Sequence, residues 1–560
     1  VVSLALTPLL CARLPGSHHQ RPPGRWKLAS DRAFESLRNA YGNSLRRVLA
    51  HPRSTMLVFT GTLLATGILF LVTAKGFLPA EDTGQIFAIT EGAQDISFDS
   101  MLAKQLALHR IALKNPHVEG AMAVIGSGGS TQLMNQGRML MNLTPAAERP
   151  DADAVITELQ AKMQDVPGIR VYLQNLPVIR IGGGLTKSQY QYTLQDTDTT
   201  ELFKWAPKVE KALSKLPGLL NVTSDLQLDY PKLQLTIDRG KAASLGVTAT
   251  QIEAALYSAY GAAQVATIYT PADEYAVILE VLPEDRADPT DIGSLYIRAS
   301  SGHLVPLSAV TTATRMVSPL AISHQGQVPA VTLSFDLAPG VALGTAVKEI
   351  GTAFTSLKLP PGLAASFQGS AQAFQDSLGG IGVLIFMAIF VIYVVLGILY
   401  ESYLHPLTIL SGIPAAGAGA LATLLVFHRE LDLYGMVGML MLIGIVKKNA
   451  IMMVDFALDA QRGQKLSAAE AIHQACLVRF RPIMMTTMAA LLGTLPIAMH
   501  TGASSAGRQP LGLAVVGGLL VSQSLTLYIT PVIYIYLDRL GRRFRRDSQA
   551  AAPSYPLRSA

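Results

Sequence analysis

The chain has 560 residues, half of them hydrophobic and 15% charged, with a net charge of +6 and a mean hydropathy of +0.34. That balance is too apolar for an ordinary soluble protein and too polar for membrane helices alone, so spans plus a sizeable water-exposed part are expected. Its basic residues cluster, nine Lys/Arg against two acids between Arg13 and Arg53 and again in DRLGRRFRR at 538–546, which marks cytoplasmic flanks of spans and excludes a nucleic-acid surface as the simplest reading.

The opening VVSLALTPLLCARL lacks the basic start and cleavage site of a signal peptide. It reads as the end of an apolar helix already under way, so the beginning of a longer protein is expected to be missing. Between Ser30 and Pro52, Phe34, Leu37, Tyr41, Leu45 and Val48 recur at three- and four-residue steps among Arg32, Arg38, Arg46 and Arg47. This predicts an amphipathic helix, either lying on the cytoplasmic membrane surface or packed on protein. A span follows at 54–74.

A long water-exposed region then begins. Strand 85–92, helix 97–114, strands 119–125 and 138–144, helix 152–165 and strand 169–175 make a split βαβ unit, βαββαβ. The order starts again with strand 189–195, helix 199–215 and strand 219–226, and resumes at 328–336, helix 342–357 and strand 363–368. An inserted domain of short strands and turns, including the RASSGHLVPL hairpin at 298–307, fills the gap. Five more spans close the chain, near 380–400, 405–427, 433–457, 483–500 and 510–536, each near the roughly 20 residues a hydrocarbon core needs. Lys/Arg bias puts Arg13–Arg53, Arg462–Arg481 and the tail in the cytoplasm, and the long region outside it.

Lys447 and Lys448 interrupt the apolar stretch LIGIVKKNAIMMVDFAL at 442–458. A charge at the centre of a span costs roughly 2.5–3.5 kcal/mol on insertion scales, so such residues mark ion or proton pathways. Asp455 follows Lys448 by two turns on nearly the same face, where a capping role competes with a functional one. Arg479 and Arg481 precede the next span; anchoring accounts for Arg481, and the hydroxyls of Thr486 and Thr487 can bond back to their own helix. The Gly-rich stretch GSGGSTQLMNQG at 126–137 joins two strands and lacks the Lys-Ser/Thr of a phosphate loop. Met134, Met139 and Met141 near it read as adaptable apolar contacts, with metal binding second. Cys11 and Cys476 lack metal-ligand spacing, and no nucleophile–base pair, zinc motif or nucleotide motif is present. Neither enzyme chemistry nor a cofactor is expected.

Five stretches together carry a family resemblance: GFLPAEDTG (76–84), LGILYESYLHPLTIL (396–410), IGIVKKNAIMMVDFAL (443–458), RFRPIMMTTMAALLGTLPI (479–497) and QPLGLAVVGGLLVSQSLTLYITPVIY (509–534). The chain resembles the resistance-nodulation-division (RND) drug exporters, in wording most like the MdtB/MdtC-type subunits. Such proteins have two repeats, each with a large periplasmic insertion, and this chain is similar to the C-terminal one. The resemblance implies a membrane α-helical bundle of about six spans, including a partial first one, with periplasmic α+β porter subdomains of the ferredoxin-like βαββαβ kind and an inserted docking subdomain. Its expected parts are the end of a span (1–14), a linker helix (15–53), a span (54–75), a first porter subdomain (77–186), a second (187–230 and 318–370), the docking subdomain (231–317), five spans (378–540) and a cytoplasmic tail (541–560).

By resemblance Lys448, Arg479 and Thr486 match proton-relay positions; Lys447 is a feature of the subtype whose role stays open, and Asp455 is an accessory candidate on its spacing alone. The two aspartates that face the relay lysine in the family belong to a span outside this chain, which leaves Lys448 expected as a buried cation without its counter-charge. The loop 126–137 matches a switch loop, with Ser127, Gly128 and Gly129 where other exporters carry aromatic residues, and Met122, Val124 and Leu140 match pocket walls. The implied function is proton-driven export of amphiphilic small molecules from the bacterial inner membrane. The implied partners are related subunits in a homo- or heterotrimer, a periplasmic adaptor and an outer-membrane channel. The alternatives are a transport-inactive half-protein and a metal-ion exporter of the same superfamily.

Overall fold

The computed structural model describes residues 9, 12, 25–78, 81–126, 133–176, 181–182, 184, 186–286, 288–499 and 507–550. They divide into two compact units, one of residues 1–81, 342–345 and 373–560, the other of 82–341 and 346–372. The remnant helix expected at 1–14 falls almost entirely outside the described residues.

The first unit begins with α1 (Arg25–Ala50) and α2 (Pro52–Val72). Pro52 opens α2 without loss, because the first helical N–H has no partner in any case. One edge of α1 is buried against protein. The Tyr41 hydroxyl donates to the Leu527 carbonyl at 2.9 Å, its ring stacks on Phe480 at 4.7 Å, and Leu45 is fully buried. Arg32, Arg38, Arg46 and Arg47 stay exposed. The helix is therefore packed on protein along one edge and basic on the other.

The second unit holds two sandwiches. In the first, β1 (Gln85–Gly92), α3 (Phe98–Leu113), β2 (Val118–Ile125), β3 (Gln136–Leu143), α4 (Ala152–Met163) and β4 (Ile169–Asn175) follow in chain order. The strands form an antiparallel sheet of order β2-β3-β1-β4. Strand alternation sends Ile86, Ala88, Met139, Met141, Val171 and Leu173 under the two helices, where they meet Met101, Leu108, Val155 and Leu159. The start of the unit is clamped. Asp82 accepts from both terminal nitrogens of Arg149, at 2.6 and 2.7 Å, and from the backbone of Gly84 and of Ala152 at the start of α4.

The second sandwich is built from β5 (Tyr190–Gln195), α5 (Thr199–Leu213) and β6 (Leu219–Ser224). Between β6 and its remaining strands lies the inserted domain. Strands β7 (Tyr230–Ile237) and β12 (Thr311–Ser318) lead out and back as one antiparallel ribbon. Beyond it sit α6 (Ala249–Tyr260), the hairpin of β8 (Ala263–Tyr269) and β9 (Glu274–Leu279), and the short pair β10 (Tyr296–Arg298) and β11 (Leu304–Pro306). A small core of Ile252, Ile297, Val305, Leu307 and Val310 holds this domain together. The sheet then resumes with β13 (His324–Gln325), β14 (Val328–Leu337), α7 (Leu343–Leu357) and β15 (Ala364–Gln368), in the order β13-β14-β5-β15, and β6 pairs with β14.

The first unit closes with α8 (Ser370–Tyr400), α9 (His405–Leu410), α10 (Ile413–Val426), α11 (Leu433–Gln464), α12 (Ala468–Ala498) and α13 (Gln509–Ala550). With α9 and α10 taken together, six helices among the described residues are long and apolar enough to cross a membrane. None of the six includes the remnant, so the partial first span is not part of that number. The stretch expected as one span at 405–427 is interrupted between α9 and α10. Pro414 supplies no N–H there, while Ser411 and Gly412 keep right-handed helical dihedrals across the joint; glycine at 412 admits the close approach of α13, since a Cβ there would lie 2.9 Å from the Thr526 hydroxyl. Small residues also let α10 and α13 approach closely, for a Cβ on Gly419 would lie 2.6 Å from the Gly517 carbonyl.

Candidate functional site

Lys447 and Lys448 are adjacent on α11, and successive helical residues point about 100° apart. One of the pair must therefore face neighbours while the other does not. Lys447 is the buried one, 6% exposed, on the side of Val446, Ala450 and Val454. Lys448 is exposed, on a stripe with Gly444, Asp455 and Asp459. Within this chain Lys447 is therefore the buried cation, and Lys448, expected to be buried, lies on an open face.

A hydrogen bond shows which levels of α11 and α12 meet: Asn449 Nδ2 donates to Thr487 Oγ1 at 3.1 Å. The two helices are consecutive and joined by a short turn, so they run antiparallel. Stepping one residue back from this contact on each helix rotates both side chains to the same side of the pair. Lys448 and Thr486 thus share one face. Asp455 and Arg479, each seven residues away, continue that face toward the other end. Thr486 is half-buried and donates to the Ile483 carbonyl at 3.1 Å. Arg479 is half-buried with its guanidinium 5.1 Å from the Phe456 ring centre, and its Nε is buried without a hydrogen-bond partner. The fold brings the four together on a face, and no ion pair joins any two of them among the described residues.

Sequence reading did not find what lies behind that face. Asn449 Nδ2 also donates to Gln523 Oε1 on α13 at 2.8 Å, and the Thr487 hydroxyl lies 3.0 Å from the same oxygen and 3.0 Å from the Ile483 carbonyl. Three helices meet in one knot of neutral polar groups. Asn449 stands next to the lysine pair and is as polar for its surroundings, which was the available signal. Nothing local links Gln523 to it.

In the second unit the candidate pocket residues lie on the sheet face that α3 and α4 leave open. Cross-strand register pairs Met122 with Leu140 and Val124 with Arg138. Met122 is 61% exposed, Val124 is exposed, and Leu140 packs against Phe87, Ile89 and Leu176. Ser127, Gly128 and Gly129 lie outside the described residues. Met139 and Met141 alternate to the opposite face and are core side chains, so neither is available as a contact; Met134 is exposed.

The same open face ends in a cavity of about 540 Å³ shared with the second sandwich, lined by Glu91, Arg170, Tyr172, Lys187, Glu210 and Gln227 among others. Glu91 accepts from Lys187 and from Gln227, both at 2.8 Å, and the ion pair is nearly buried, each side chain 11% exposed. Gln227 in turn accepts from Asn135 at 3.1 Å. Burial pushes the Glu210 carboxyl above its ordinary value although Lys187 and Arg170 pull it down, and burial raises the Tyr172 hydroxyl, with Glu91 adding to the effect. The cavity is thus lined mostly by charged and polar groups. This polar lining was not legible in sequence.

A family model described as the AcrB/AcrD/AcrF family matches residues 1–538. Two solved structures are also similar, X-ray crystal structures of a heavy metal efflux pump in crystal forms II and I. Each aligns with a TM-score of 0.81 at 24% identity over 90% of this chain, covering 53% and 52% of the other chain respectively. The chain therefore spans about half the length of these solved relatives, and likeness at this identity speaks to the fold alone.

Proposed function

The chain belongs to the AcrB/AcrD/AcrF family of RND efflux transporters, and from that premise we propose that it is a subunit of a proton-driven inner-membrane exporter of amphiphilic small molecules. The family match over residues 1–538 carries the reading. The shared face of Lys448, Thr486, Asp455 and Arg479 supports it on the membrane side. The open sheet face of Met122, Val124 and Leu140, beside the charged cavity, supports it on the cargo side. On this reading the chain is the C-terminal repeat of an MdtB/MdtC-type subunit, working in a trimer with a periplasmic adaptor and an outer-membrane channel. Lys448 exchanges partners as carboxylates facing it gain and release protons, with Thr486 and Arg479 completing the relay. The second unit opens and closes on cargo as a rigid body coupled to that exchange.

The test is Lys448→Ala in the full-length protein in its native membrane. Efflux is expected to be lost while the assembled protein persists. Efflux at the unaltered rate overturns the relay. A metal-ion cargo is the alternative within the superfamily. The core placement of Met139 and Met141 removes two candidate soft ligands, whereas Met122 and Met134 stay exposed. Side-by-side susceptibility of a deletion strain to amphiphilic drugs and to metal salts separates the two.

A further inference from the structure

We propose that the knot of Asn449, Thr487 and Gln523 positions Lys448 and Thr486, which makes Gln523 on α13 a positioning residue for proton-coupled transport. The inference rests on the relay reading above. Two of the three knot residues each stand one position after a relay residue, Asn449 after Lys448 and Thr487 after Thr486. Whatever sets the contact between Asn449 and Thr487 therefore sets the relation of the relay pair.

Apolar packing alone does not fix that contact. Around it α11 and α12 meet through side chains such as Ala450, Met453, Cys476 and Ile483, where the one directional contact is the weak one from Cys476 Sγ to Met453 Sδ at 3.9 Å. A slip of one residue moves a helix about 1.5 Å along its axis and its side chains about 100° around it. That rotation would carry Lys448 off the shared face. Hydrogen bonds are directional, and in an apolar surrounding a donor without an acceptor is costly. Asn449 spends both amide hydrogens on the knot, one on α12 and one on α13, so a slip of either neighbour would orphan a donor. The Thr487 hydroxyl donates either to Gln523 or to its own Ile483 carbonyl, at equal distances of 3.0 Å, so it can stay satisfied while the relay residues change partners. None of the three groups titrates near neutral pH, so the knot holds its geometry while neighbouring charges change.

The test compares Thr487→Val, which removes the hydroxyl at nearly constant shape, with Thr487→Ser, which keeps it, in the full-length protein in its native membrane. Transport is expressed per assembled pump. Thr487→Val is expected to lower transport about tenfold, the scale of one lost buried hydrogen bond, and Thr487→Ser to recover most of it. A role in packing alone predicts the reverse, with Val tolerated and the smaller Ser impaired, and that result overturns the proposal. Unchanged transport in Thr487→Val overturns it as well. If Thr487→Val does not accumulate, Gln523→Met carries the test, because it preserves chain length and removes only the amide; normal transport in that variant is then the overturning result. Loss of transport in Lys448→Ala beside a normal Thr487→Val refutes the knot alone, whereas normal transport in Lys448→Ala refutes the relay reading itself.

Discussion

Replacing Asp82 by alanine should destabilise the second unit by more than any exposed charge could. Its carboxylate accepts four hydrogen bonds, two from Arg149 at 2.6 and 2.7 Å and one each from Gly84 N at 2.9 Å and Ala152 N at 3.0 Å. Arg149 is 1% exposed and Asp82 24%. Removing the acid leaves the guanidinium its bonds to the Thr144 and Pro150 carbonyls and no counter-charge. Breaking a buried pair from one side costs about 3–5 kcal/mol, and the partial exposure of Asp82 argues for the lower end, about 3 kcal/mol. The bond to Arg149 holds the Asp82 carboxyl below its ordinary value. Its stabilisation is therefore complete above the ordinary carboxylate pKa and is lost only as pH falls through the lowered one, which makes neutral pH the right condition. The chain has two tryptophans, Trp26 and Trp205, and Trp205 lies on α5 in this unit. In a Trp26→Phe background, its fluorescence during urea unfolding reads the second unit alone. Glu158→Ala is the control, since its pair with Lys162 is 41% and 52% exposed and should be worth about 0.5 kcal/mol or less. A loss in Asp82→Ala no larger than in the control refutes the clamp.

The two lysines should separate. Lys447→Met replaces a buried cation by an apolar chain of similar length and is expected to keep efflux and raise thermal stability by about 1 kcal/mol or more, against the loss of efflux in Lys448→Ala; equal defects would show that burial does not distinguish them. Asp432, the N-cap of α11, accepts from Gly435 N at 2.7 Å and is 4% exposed. Burial, helped by Glu430, pushes its carboxyl up to about 7. The folded state then holds the proton more tightly than the unfolded one, so stability is highest at acid pH, falls as pH rises through the interval up to about 7, and is level above it. Asp432→Asn keeps a capping side chain and should remove that slope, raising the melting temperature at pH 8 more than at pH 5. Equal shifts at the two pH values would refute it.

Much of the architecture was legible because it rests on local periodicity. Apolar runs of bilayer length marked the long helices from 54 to 536, and strand alternation marked both sandwiches and the insertion within the second. The same alternation could have sent Met139 and Met141 to the core, had the sheet face covered by α3 and α4 been known. Helical spacing alone could place Lys448 and Asp455 on one stripe, and it equally showed that Lys447 lay off it.

What sequence could not settle was which side of each element meets a neighbour. Within this chain that choice buried Lys447 rather than Lys448 and seated Tyr41 against Phe480. It also decided the polar contacts with long chain separations. Asn449 meets Gln523 74 residues away, and Glu91 meets Lys187 at a separation of 96. Periodicity along one chain records only the direction each side chain points from its own axis. The partner it finds there depends on how the axes are stacked, and only the tertiary structure decides that.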